Sequence, residues 1–169
     1  MATITAGSRA RGAAGSGRAA GSGGAAAPRS LRAHLARLDA DQACLQRARQ
    51  LLQQGRALSA TEPRDAFELA HRAALRGAGV LVTRANRERR RPLPLNVWRA
   101  LERIGGSAAE RSAELTELVA ERERLDRDPA AHPDPVLLER HLEQTARHLE
   151  QVADLLLEEL PGPLTALAG

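Results

Sequence analysis

The chain has 169 residues, of which 43% are hydrophobic, 27% charged and 1% aromatic, and its net charge is +4. Phe67 and Trp98 are the only Phe, Tyr or Trp side chains and Cys44 is the only cysteine. This excludes a reader that stacks bases on aromatic platforms and a disulfide scaffold. No apolar run approaches the ~20 residues of a membrane span, and the Leu, Ala, Glu, Arg and Gln bias is that of an all-helical chain.

All 25 basic residues are Arg, and four of them lie in residues 1–30, which carry no acid. The remainder is neutral but polarised. Leu31 to Arg103 carries 15 Arg against 7 acids, and Glu110 to Leu160 carries 6 Arg against 14 acids. The two halves complement each other within one bundle or across a dimer. Arg without Lys also fits bidentate phosphate contacts, although a GC-rich genome accounts for it better, since Arg replaces Lys even where no ligand is plausible.

Residues 1–28 are Ala, Gly, Ser and Arg in low complexity. They bury too little apolar surface to offset ordering and are expected to be disordered. The basic and glycine interruptions argue against a secretory leader, so a cytoplasmic location is expected. A helical period begins near Leu31 and runs through Leu35, Leu38, Leu45, Ala48 and Leu52. Asp39 or Asp41 is placed to cap a fresh start, and Gly55 to end the helix.

A second helix is predicted to start within Ser59 to Pro63, with Thr61 as its cap candidate and Pro63 in its first turn, and to run to about Arg87. Its inner face is Phe67, Ala70, His71, Ala74, Ala78 and Leu81. The run Arg87 to Pro94 reads RERRRPLP and ends it. Asn96 caps a short helix through Val97, Trp98, Leu101 and Ile104, which Gly105 and Gly106 close. Ser107 to Glu110 reads as a capping box opening a fourth helix with Leu115, Leu118, Val119 and Leu125. Asp126 to Asp134, with Pro129 and Pro133, is a loop.

Asp134 and Pro135 open the last helix, whose seam is Leu138, Leu142, Thr145, Leu149, Val152 and Leu156. Within it the heptad RHLEQTA, from Arg140, repeats as RHLEQVA from Arg147. The expected fold is an all-α antiparallel bundle of about five helices over residues 29–160. Residues 161–169 form a short tail.

Residues 66–103 read AFELAHRAALRGAGVLVTRANRERRRPLPLNVWRALER. The Ala-His-x-Ala-Ala-Leu-Arg run, the Arg-rich proline loop and the short helix with one Trp resemble a small bacterial HEPN-domain family of unknown function. HEPN stands for higher eukaryotes and prokaryotes nucleotide-binding. The resemblance extends over roughly residues 40–160. It implies an all-helical, often dimeric fold. It also implies an RNA-associated role in a toxin–antitoxin, stress or defence setting.

HEPN ribonucleases carry an Arg-polar-x3-His motif, loosely Arg-x4-6-His, and work without metal. The His exchanges protons with the RNA and the Arg neutralises the phosphate. Arg29 to His34, Arg64 to His71 and Arg127 to His132 match loosely, and about two matches are expected by chance. Arg127 and His132 are the catalytic candidates, because Arg127 is followed by a polar residue and the pair precedes the last helix. His71 sits on an apolar face and reads as a core residue.

His141 and His148 are about 10 Å apart along the helix axis. That is too far for one zinc ion, and they are placed at the flanks of the seam. No metal site and no cofactor is expected.

The strongest surface feature is Arg84, Arg87, Arg89, Arg90, Arg91 and Arg99 around a single acid, Glu88. It reads as a phosphate-binding patch for RNA or DNA or as a solvated turn pairing with the acidic helices. Three functions follow: a non-catalytic module that binds RNA, a metal-independent ribonuclease acting as a dimer, and a bundle that docks a second copy or a partner protein. No membrane contact is expected.

Overall fold

A computed structural model of the protein describes residues 26–158. The fold is all-α: α1 is Ala26–Leu58, α2 Pro63–Arg87, α3 Val97–Ile104, α4 Ser107–Glu114, α5 Thr116–Arg127 and α6 Pro135–Glu158. Contacts divide the chain into two units after His34. Only the opening turns of α1 belong to the described part of the first unit, and the bundle below is the second. Residues 1–25 of the expected N-terminal tail, and the expected C-terminal tail, lie outside the described residues.

α1 is one helix, without a restart at Asp39 or Asp41 and without a stop at Gly55. Both departures have a packing cause. Asp41 is buried, and its carboxylate takes a hydrogen bond from Arg87 at the end of α2 (2.8 Å). A Cβ on Gly55 would lie 3.1 Å from the Ala66 carbonyl of α2, so the glycine permits close approach and does not end the helix. Leu38, Leu45, Ala48 and Leu52 line the buried face, as their spacing predicts.

α2 begins at Pro63, but its N-cap is Glu62 and no side chain caps it. The backbone instead closes the turn, with Glu62 N donating to the Leu58 carbonyl (2.8 Å). The buried face is Ala66, Phe67, Ala70, His71, Ala73, Ala74, Gly77, Ala78 and Val80. Small residues dominate it, and α6 packs there. On α6 the predicted seam from Leu138 to Leu156 is buried. His141 and His148 are buried with it rather than placed at its flanks.

Asn96 caps α3 as expected, its Oδ1 accepting from Trp98 N (3.0 Å) and Arg99 N (3.1 Å). Gly105 (φ 85°) and Gly106 (φ 57°) turn the chain in the left-handed region. Because Gly106 takes the N-cap position, Ser107 falls inside α4 and the predicted capping box does not form. Ala78, Leu101 and Ala108 form a small second core there, beside Trp98 and Ile104. The expected fourth helix is interrupted at Leu115, giving α4 and α5.

α2 and α6 approach closely at Gly77. A Cβ there would lie 2.5 Å from Leu149 Cδ2, whereas one on Gly79 meets nothing within 4 Å. Gly77→Ala should therefore destabilise by about 1–3 kcal/mol through overpacking. Gly79→Ala should stabilise by about 0.5–1 kcal/mol through helix propensity. Urea unfolding of the two variants against the parent measures both.

Candidate nucleic-acid interface

The chain between α2 and α3 is held at two points. Leu93 is buried and its N–H donates to Asn86 Oδ1 (2.8 Å). At the far end, Asn96 caps α3. Within the stretch that the Asn86–Leu93 bond closes, Arg89, Arg90 and Arg91 are exposed. Arg99 and Arg103 are exposed one turn apart on α3. Arg103 escaped the sequence reading, although its i,i+4 spacing from Arg99 places both on one helix face.

None of these five guanidinium groups makes an ion pair among the described residues. The other two predicted members differ. Arg87 is committed to Asp41, with Nη1 2.8 Å from Oδ2. Arg84 is half-buried and also engaged.

Among the described residues no acid of the C-terminal half forms an ion pair with these five arginines. Glu121 holds Arg124 (2.8 Å), Glu117 holds Arg140 (2.6 Å) and Asp126 faces Arg122 (3.8 Å). Arg122 also reaches Glu68 (2.9 Å), whose carboxyl stays below its usual pKa. Burial of Glu68 works the other way, and hydrogen bonds from Arg122 and Arg72 outweigh it together.

The Asp128–Asp134 loop is anchored by two arginines. Arg64 Nη1 donates to the Asp128 carbonyl (2.9 Å), and Nη2 donates to the Leu125 carbonyl (2.6 Å). Arg124 Nη2 donates to the His132 carbonyl (2.6 Å). Arg64, from a second Arg–His match, thus serves the loop backbone while His71 lies in the core. Arg127 is the exposed last residue of α5 and His132 is exposed in the loop. No hydrogen bond or ion pair joins the two among the described residues. His132 lines a groove of about 650 Å³ with Arg56, Pro63, Leu138 and Leu142, and Arg127 is not part of its wall.

Three histidines form a buried row: His71 (4% exposed), His141 (0%) and His148 (2%). The His141 ring lies 4.9 Å from Phe67 and 5.9 Å from His71, and His71 lies 6.0 Å from Trp98. Burial lowers the pKa of His71 to about 4, with Arg122 adding to the effect and Glu68 and Asp126 opposing it. Burial likewise lowers His141 to about 3, aided by His71 and Arg111, and His148 to about 3, aided by Arg111. All three are neutral at ordinary pH and belong to the core.

The fold and this surface define a small helical module with an anchored, exposed arginine loop. A family model described as HEPN_SAV_6107-like HEPN matches residues 57–153, more than half of the chain. The chain belongs to that family. No curated protein and no solved structure matches it. No described helix is long and apolar enough to cross a membrane.

The histidine row sets a pH response. Unfolded histidines protonate near 6.5, but the folded row resists protonation until the pH reaches about 4 to 3. The unfolded state therefore binds more protons in that window. Stability is full above pH 6.5 and falls as the pH drops through it. Thermal unfolding at pH 7.5, 6.5 and 5.5 should show this decline before most carboxylates titrate.

Proposed function

We propose that the protein is a non-catalytic HEPN-like binding module in the cytoplasm, with RNA as its ligand. Arg89, Arg90, Arg91, Arg99 and Arg103 form the contact surface. The observation that carries this reading is that these five arginines are exposed and make no ion pair among the described residues. Arginine grips phosphate bidentately, and such contacts release counterions on binding. Without aromatic platforms the affinity comes from the backbone, so sequence preference is weak.

Single-stranded RNA binding measured by fluorescence anisotropy should weaken steeply with salt. The triple change Arg89→Ala, Arg90→Ala, Arg91→Ala should weaken it at least tenfold. It should also make the log–log salt slope shallower by about 2, at roughly 0.7 per phosphate contact. Affinity indifferent to both salt and the triple change would sink the reading.

A second reading is a metal-independent endoribonuclease, acting as a dimer through Arg127 and His132. It draws on the anchored loop and on the place of His132 in the groove wall. An RNA time course in EDTA separates the two. The binding module predicts no cleavage by the parent or by His132→Ala. Cleavage by the parent alone establishes the ribonuclease.

A further inference from the structure

A second charged feature lies apart from the loop, between α4 and α6. Arg111 projects from α4 and is only 4% exposed. Its Nη1 is 3.1 Å from Glu114 Oε2, and that carboxylate is half in solvent. Its Nε and Nη2 are buried and have no partner. Those two N–H groups point the same way. They form the edge of a guanidinium that grips an oxyanion through two parallel hydrogen bonds.

Arg111 lines a cleft of about 70 Å³ together with Gln144, Arg147, His148 and Ser107. The buried Gln144 Oε1 and His148 Nε2 lack partners too. A side-chain amide can turn its NH2 into the cleft. Arg147 adds a second positive charge. Glu110 and Glu114 stand in the cleft wall, so the cleft is of mixed sign. Four orphaned polar atoms on three neighbouring side chains are a large cost for so small a domain unless something fills the space.

The volume is far below the roughly 300 Å³ of an ordinary small-molecule pocket. It suits one compact polar group. We infer that the cleft between α4 and α6 is a binding site for a single small oxyanion of the phosphate class, gripped by the Nε–Nη2 edge of Arg111 and completed by Gln144. It shares no residue with the arginine loop and does not depend on RNA binding.

The test is calorimetric titration of the full chain with sodium phosphate at pH 7, ionic strength held constant with chloride. The expected result is saturable binding at one site, half-complete below about 10 mM. Arg111→Lys keeps the charge and removes the fork, and should weaken binding at least tenfold. Gln144→Leu should weaken it about threefold. If Arg111→Lys does not fold, Gln144→Leu decides.

The triple loop variant should bind phosphate like the parent, because the cleft is a separate site. A titration with a nucleoside 5′-monophosphate identifies the source. Equal binding means that the cleft accepts a phosphate carried on a larger molecule, and binding of inorganic phosphate alone means a free ion. Non-saturable heats, unchanged binding in Arg111→Lys or in Gln144→Leu, or loss of binding in the loop variant would each overturn the assignment and leave a cleft filled by water.

Discussion

The spacing between α2 and α6 is the constraint on which the rest of the structure depends. Gly77 leaves no room for a side chain, since Leu149 Cδ2 occupies the place of its Cβ and His148 Nε2 lies 3.1 Å from that point. Ala70, Ala73 and Ala74 extend the same close approach along α2. With only one Phe and one Trp in the chain, bulky rings cannot fill the core. It is filled by bringing backbones together and interlocking the leucines of α6 with a stripe of small residues. The cost is that polar side chains on the inner face of α6 have nowhere else to go. His141 and His148 are buried because the helices are close. Neutrality is the form in which they tolerate it.

That close packing leaves the arginines to do two separable jobs. Some are struts. Arg64 gathers the carbonyls of Leu125, Asp128, Pro129 and Ala131. Arg87 joins the end of α2 to Asp41 on α1. Arg124 ties Glu121 to the carbonyl of His132. A planar guanidinium with five donors suits this work, because one side chain can satisfy several carbonyls that no helix caps. The others, on the loop after α2 and along α3, hold nothing together. The charge asymmetry of the chain is therefore not cancelled by a basic loop folding onto acidic helices. The acids of α5 are largely paired with arginines on their own or neighbouring helices.

Helix positions were legible wherever apolar spacing and proline agreed. α2, α3 and α6 have the predicted beginnings because Pro63, Asn96 and Pro135 act through local backbone geometry. The misreadings share one cause. Asp41, Gly55 and Ser107 carry strong local signals for caps and stops, yet each is used by a partner distant in sequence or displaced by a neighbouring turn. Asp41 answers Arg87, Gly55 answers Ala66, and Gly106 takes the cap position from Ser107. Local rules cannot see a contact made 46 residues away. The same limit applies to the site. The exposed arginines of the loop were legible from composition. The burial of Arg111 was not, since nothing in ERSAEL distinguishes an inward arginine from an outward one.

Family membership does not by itself choose between binding and cleavage, and the placement of Arg127 and His132 sharpens the choice. A proton-transferring histidine needs a phosphate held within reach by a cation. In one copy of the chain, His132 lines its groove beside Arg56 and not beside Arg127. A ribonuclease built here needs Arg56 to take the cation's part, or a second copy to bring its Arg127 across. Either route adds a requirement beyond the motif. Phosphate binding by the loop adds none, because its arginines already stand in solvent on a backbone pinned by Asn86 and Asn96. The binding reading is therefore the one that asks least of the fold.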